Sequence, residues 1–263
     1  MSKKYELVKD DFIDYNGHKL YRIKALIDFS NVFYGDLGGY IQSENNLSQF
    51  DDCWVYDNAK VCGNAKVFGH ALIHDNAFVL DNALICENAE ICDNSIVEHN
   101  SVVRGNAMIY GESCVSGDAM IYDNAKLYNE SIVSNHAQIY GNAKLYNKVN
   151  VFGNVHVFEE AELYDRIHVD DNVLIHGDVK IYGSCCELKG NADIQDYSDY
   201  IVFKNWWSSG RYFIWTRSNN MWTVGCFHGT GDELIAKAYD DSEESGKQYE
   251  AIVQYVNKNA LNK

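Results

Sequence analysis

The residues of this chain that could do chemistry are its histidines, cysteines, tyrosines and tryptophans. Their spacing decides what that chemistry could be. His70 and His74 stand four apart, near enough to share a metal ion with a third ligand, but no third histidine is evident. The eight cysteines, Cys53, Cys62, Cys86, Cys92, Cys114, Cys185, Cys186 and Cys226, contain no Cys-x-x-Cys pair, and no two are separated by the interval that separates Tyr110 from Tyr128. Reduced thiols filling small gaps are therefore expected, with no metal, no disulfide framework and no cofactor. Cys226 and His228 fall on the same side of an extended segment, as a thiol nucleophile and its base would. Gly35-Asp36-Leu37-Gly38-Gly39 lacks the lysine of a phosphate-binding loop and reads as a turn. His136 lies, like His70, in a turn, while His156, His168 and His176 lie, like His74, in extended segments; nothing in the spacing singles out one as a base.

The aromatic residues are better ordered. Tyr110, Tyr128, Tyr146, Tyr164 and Tyr182 recur at one constant interval. If that spacing brings them onto one face, the row either stabilises the sheet or offers a platform on which sugars or bases stack. Four of the five tryptophans, Trp206, Trp207, Trp215 and Trp222, gather near the C-terminus beside Arg211 and Arg217. They are candidates for a recognition surface, the alternative being the small core of a C-terminal module.

The elements that must position these residues follow from one periodicity. From Val55 to Ile181 every sixth residue is Val, Ile or Leu, an unbroken series of 22. Four residues after each stands a small one, from Ala59 and Ala65 through Ser95 and Ser101 to Ala143. Between them lies a turn pair such as Gly63-Asn64 or Asp81-Asn82, residues that tolerate a left-handed backbone. Each hexad is thus a short strand and a corner, with the small and aliphatic residues inward and the two others outward. Three hexads make one triangular coil, and three hexads are also the interval of the tyrosine row. Beyond Leu145 the small position is filled by Val149, Val155, Ile167, Val173 and Val179, which predicts a differently filled core in the last coils. The register slips by one residue near Cys185-Cys186, and the helix is expected to end soon after, at Asn191-Ala192-Asp193-Ile194.

Repeated units such as Gly63-Asn64-Ala65-Lys66-Val67 make the chain resemble the hexapeptide-repeat superfamily of left-handed parallel β-helices, over more than half of its length. That resemblance implies a mainly β fold, a left-handed parallel β-helix of about seven coils, and a superfamily whose known enzymes are mostly coenzyme A-dependent acyltransferases. The place after the aliphatic residue is often aromatic here, as in Tyr56, Phe68, Tyr110, Tyr122 and Tyr128. In this the chain looks more like uncharacterised bacterial and phage hexapeptide-repeat proteins than the characterised enzymes. The resemblance also implies a histidine base near a loop protruding from the coils, and no insertion interrupts the hexads to build one.

Three regions are expected: an N-terminal β-hairpin cap over 1–36, the β-helix over 37–196, and a small α+β module over 197–263. Asn16-Gly17 marks the hairpin turn between Tyr5–Ile13 and Lys19–Leu26. In the C-terminal module three strands run through Ile201–Phe227, Thr230-Gly231-Asp232-Glu233 caps a first helix, and a second runs from about Gly246 to Asn259. On the rod, one outward face is polar and lined by tyrosines, and two are apolar. One apolar face carries Phe78, Leu80, Ile96, Cys114, Ile132 and Phe152; the other carries Phe68, Leu84, Val102, Met120, Tyr122, Tyr140 and Phe158. Contiguous apolar surface of this kind marks an interface, to be covered by a terminal domain or by another subunit, and a homo-oligomer, dimer or trimer, is the expected partner arrangement.

The formal charge of −16 sits almost wholly on residues 37–196, which carry a net −15. That balance argues against direct nucleic-acid binding and leaves open an acidic mimic of nucleic acid. No apolar run long enough for a membrane span and no apolar core of a signal peptide are seen, so the expected setting is cytoplasmic, without a membrane partner. The function expected first is a non-catalytic binding protein: a rigid oligomeric β-helix with a C-terminal recognition module, in the manner of a phage-encoded inhibitor or ligand-sequestering protein. An acyltransferase is the second reading and the acidic mimic the third.

Overall fold

The computed structural model describes residues 3–183, 186–205 and 210–260. Its body is a parallel β-solenoid whose strands form three sheets, each contributing one face of a triangular rod. The first face runs from Trp54–Val55 to Lys180–Tyr182 and the third from Lys66–Val67 to Asp193–Ile194. The second starts at Leu37–Ile41 and ends at Cys186–Leu188. Successive strands of a face are offset by three hexads, as in the pairing of Val55 with Ile73. In the last coil the offset grows by one residue, Leu174 lying beside Asp193. There are about eight coils rather than seven, because strands before Val55 and after Ile181 extend the stack at both ends.

The core is the periodicity made solid. Each aliphatic residue of the series and each small residue preceding it is buried, from Ala59 and Val61 to Val179 and Ile181. The larger valines of the last coils fill the same interior, and several strands there are one residue longer, as in Lys144–Tyr146, Glu162–Tyr164 and Ile167–Val169. Where the small residue is serine, its hydroxyl donates to a carbonyl of its own corner, as Ser113 Oγ does to Tyr110 O at 2.7 Å.

The corners explain the acidity of the rod. Their first residue is left-handed, with φ of 50° at Asp57, 58° at Asp75 and 73° at Gly111. At most of the acidic ones the carboxylate accepts the backbone N–H of the equivalent residue one coil on: Asp93 from Gly111 at 2.8 Å, Glu87 from Gly105 at 2.9 Å, Asp171 from Gly190 at 2.9 Å. The asparagine that follows donates to its counterpart in the next coil, so that Asn88, Asn106, Asn124 and Asn142 form a carboxamide ladder. Much of the negative charge is thus tied to closing the corners.

Both ends are covered. The N-terminal hairpin, Tyr5–Tyr15 and His18–Ala25, turns at Asn16 (φ 49°) and Gly17 (φ 81°) and continues the second face antiparallel to Leu37–Ile41. Gly38 and Gly39 lie within that third strand rather than in the turn before it. A Cβ on Gly38 would stand 2.5 Å from Val55 O, and one on Gly39 2.5 Å from Ala59 O, so glycine is required by the close approach of the first coil. Trp54, read as outward from the pattern, is 1% exposed because Tyr5 and Phe29 pack edge-on against it.

The C-terminal module is a four-stranded antiparallel sheet, Tyr200–Lys204, Tyr212–Thr216, Met221–Val224 and Phe227–Gly229, followed by helices α1 (Gly231–Asp241) and α2 (Glu243–Asn259). The fourth strand is additional to the three expected. Thr230 and Glu233 form the anticipated capping box of α1. Helix α2 starts earlier than Gly246, because Ser242 caps it by accepting from Ser245 N. One side of the sheet packs on the rod: Ile214 is buried in the solenoid's own core cluster, with Tyr200, Val202 and Tyr212 against it. The module therefore closes the C-terminal end, where open strand edges would otherwise be exposed.

Candidate functional site

The outward faces differ in what covers them. On the second face the hairpin folds over the start of the apolar row: Tyr15 meets Phe78 edge-on at 4.6 Å, and Leu80 and Cys62 pack into the same cluster. This leaves Ile96, 38% exposed, and the half-buried Cys114, Ile132 and Phe152 beyond the hairpin's reach. Sequence reasoning left open whether a terminal segment or another subunit covers these faces; it could not single out the hairpin, because the residues that provide the cover lie far away along the chain.

The third face carries a longer strip. Phe68 is 37% exposed, and Leu84, Val102, Met120, Tyr122, Tyr140 and Phe158 are half-buried along successive coils. Its aromatic column is a stack. Tyr122 and Tyr140 lie 4.9 Å apart, Tyr140 and Phe158 4.9 Å, Phe158 and His176 4.9 Å, all within 4° of parallel. Arg104 lies over the free side of Tyr122 at 4.9 Å, and His176 is paired with Asp193 at 2.8 Å. A charged group thus borders each end of the stack, with the apolar side chains between. The sequence pattern shows this column as apolar but not as a closed stack.

The first face holds the tyrosine ladder that the spacing indicates. Tyr110, Tyr128, Tyr146, Tyr164 and Tyr182 stack with centroid separations from 5.3 Å down to 4.5 Å and interplanar angles of 3–9°. Each ring face within the row is therefore occupied by the next ring, and only edges and hydroxyls point outward. Sugars and bases stack on ring faces, so the geometry offers them no platform along Tyr128, Tyr146 and Tyr164. Beside the ladder Glu162 is nearly buried, held by Lys144 at 3.0 Å and Lys180 at 3.1 Å and by the Tyr164 hydroxyl. The Tyr164 hydrogen bond, reinforced by the two lysines, pulls its carboxyl down to about 2.

The C-terminal candidates separate. Trp215 and Trp222 are 0% and 1% exposed and form the module's core with Phe213, Leu234, Val253 and Val256. They do not present a recognition surface, since the sheet buries them under the two helices. Trp206 and Trp207 lie outside the described residues, as do Cys185 and the expected turn at Ser208-Ser209. Arg211 is exposed, and Arg217 bonds Ser198 O at 3.1 Å. Cys226 sits in the turn before the strand Phe227–Gly229, not beside His228 on it, and His228 faces Thr223 Oγ1 at 3.0 Å. The seven described cysteines are all free.

No loop protrudes from the coils among the described residues between Trp54 and Tyr182, where each strand is followed by a corner and the next strand. A concavity of about 1080 Å³ is a polar groove along one corner, lined by Asn129, Asn147, Asp165, Lys148 and Arg166. No described helix is long and apolar enough to cross a membrane. A family model described as bacterial transferase hexapeptide (six repeats) matches residues 70–105. No curated protein matches the chain. That match lies inside a solenoid whose coils repeat the same three hexads, so this stretch of the rod is similar to the transferase hexapeptide repeat.

Proposed function

We propose that this protein is a non-catalytic scaffold that associates with further copies of itself through the third face of the rod and binds its ligand or partner as that assembly. The supporting observation is the strip from Phe68 through Met120 and Tyr140 to Phe158, which no described segment of the chain covers. Both ends of the rod are capped, so growth end to end is blocked and lateral pairing is the association left open. A dimer or trimer satisfies closed symmetry. The rigidity of the coils suits presentation of a surface rather than closure around a substrate. Sedimentation over a range of concentrations tests this: a dimer or trimer supports it, and a monomer at micromolar concentration contradicts it.

The match to a transferase repeat favours acyl transfer from coenzyme A as the second reading. An acyltransferase needs a base within reach of an acceptor and a pocket for the thioester. Calorimetric titration with acetyl-coenzyme A separates the two: saturable binding favours the enzyme, and no heat favours the scaffold. The acidic-mimic reading is less well served, because many of the rod's carboxylates are engaged by corner N–H groups.

A further inference from the structure

The first face changes character towards its N-terminal end. Before the tyrosine ladder begins, the same columns hold His74, Glu90 and Cys92 on two adjacent coils, where the register sets Glu90 beside Leu72 and Ile91 beside Ile73. A ring nitrogen of His74, a carboxylate oxygen of Glu90 and the Cys92 sulfur lie within 4.8 Å of one another. His74 Nε2 and Glu90 Oε1 stand 2.9 Å apart. Tetrahedral zinc ligands stand roughly 3.3–3.8 Å apart when each is about 2.0–2.3 Å from the metal. Small side-chain rotations bring the three groups to that spacing.

A second observation concerns the other ring nitrogen. His74 Nδ1 faces Asp75 Oδ2 at 3.2 Å. A carboxylate behind a histidine in this way holds the ring and directs the opposite nitrogen at a metal. Asp75 is itself held, since its Oδ2 accepts the Asp93 N–H at 3.2 Å. The cluster is accessible: the side chains of His74 and Glu90 are about one quarter exposed, at 26% and 27%, while Cys92 is buried beneath them.

We propose that His74, Glu90 and Cys92 form a zinc site on the first face, with Asp75 orienting the histidine and the fourth position open to solvent. Nitrogen, sulfur and carboxylate donors together suit zinc better than calcium or magnesium, which take oxygen ligands. The other such grouping among the described residues, Asp81, Glu98 and His99, lacks sulfur, lies on an exposed corner, and has Asp81 occupied by the His99 N–H at 3.1 Å. The site is independent of the scaffold reading, because it lies on a different face and within one chain.

Cobalt(II) and zinc titrations of the full-length, metal-stripped protein test it. The wild type should bind one zinc per chain, and cobalt should give a thiolate-to-metal charge-transfer band. Cys92→Ser should abolish the band, Glu90→Gln should weaken zinc binding at least tenfold, and Asp75→Asn should weaken it about 10–100-fold. Cys114→Ser, on the second face, should change nothing. Unaltered thermal unfolding of the metal-free variants shows that they fold. Absence of the cobalt–thiolate band in the wild type, or zinc affinity unchanged in Cys92→Ser, overturns the proposal.

Discussion

The ring of Tyr140 lies parallel to that of Phe158, 4.9 Å away and within 2°, although a full coil of three hexads separates them in the chain. The separation is the rise between coils, about 4.8 Å, so the stack costs the backbone nothing: the solenoid places equivalent side chains at the thickness of a ring. Aromatic pairs contribute about 0.5–1.5 kcal/mol beyond their area burial. A double-mutant cycle on Tyr140→Ala and Phe158→Ala, followed by chemical denaturation, should give a coupling of about 1 kcal/mol. Additive losses would show that the two rings do not support each other.

The corners should respond to substitution according to backbone geometry. Gly111 has φ of 73°, and a Cβ there would stand 2.6 Å from Asn129 Cα. Gly111→Val combines a β-branched residue in the left-handed region with a backbone clash, and should cost about 2–3 kcal/mol. Gly17→Ala is the comparison, because the same left-handed strain applies (φ 81°) but nothing lies within 4 Å. Its loss of melting temperature should be the smaller.

Glu162 should make stability depend on pH in the acid range. Its carboxyl is held at about 2, well below the ordinary 4.5, chiefly by the Tyr164 hydroxyl. A depressed carboxyl contributes stability that is fully present above the unfolded value and is lost as pH falls from about 4.5 towards 2. Glu162→Gln should therefore destabilise by about 2 kcal/mol at pH 7, with the gap to wild type closing as pH approaches 2. A gap that stays constant over that range would mean that the carboxylate charge does not carry the effect.

The seal at the C-terminal end rests on Ile214, which belongs to a strand of the module yet is 3% exposed within the rod's core. Ile214→Asp buries a charge without a partner, and should cost about 3 kcal/mol or more and expose the last coil. Dye binding to apolar surface should rise. Ile201→Asp, on the module's other side, should leave the rod's end covered and serve as the control.

The solenoid was legible because one residue in six, from Val55 to Ile181, must be aliphatic to fill a coil, and nothing else in the sequence competes with that signal. The Asn16-Gly17 turn and the Thr230 cap were legible for the same reason: each is a local requirement on a few residues. What the pattern could not show is what comes to lie on an outward residue. Trp54 and Phe78 are covered by a hairpin whose sequence contains no trace of its destination. Trp215 and Trp222 read as surface or as core until the helices pack over them. The tyrosine row was found by spacing, but only ring orientation shows that its faces are already occupied.

The central claim is that copies of the chain meet through the third face. Light scattering on the wild type and on Tyr140→Glu tests it most directly, with Ile132→Glu on the second face for comparison. A dimer or trimer that Tyr140→Glu reduces to a folded monomer, and that Ile132→Glu leaves intact, is the predicted result. A wild type with the mass of one chain, or an oligomer indifferent to Tyr140→Glu, would contradict it.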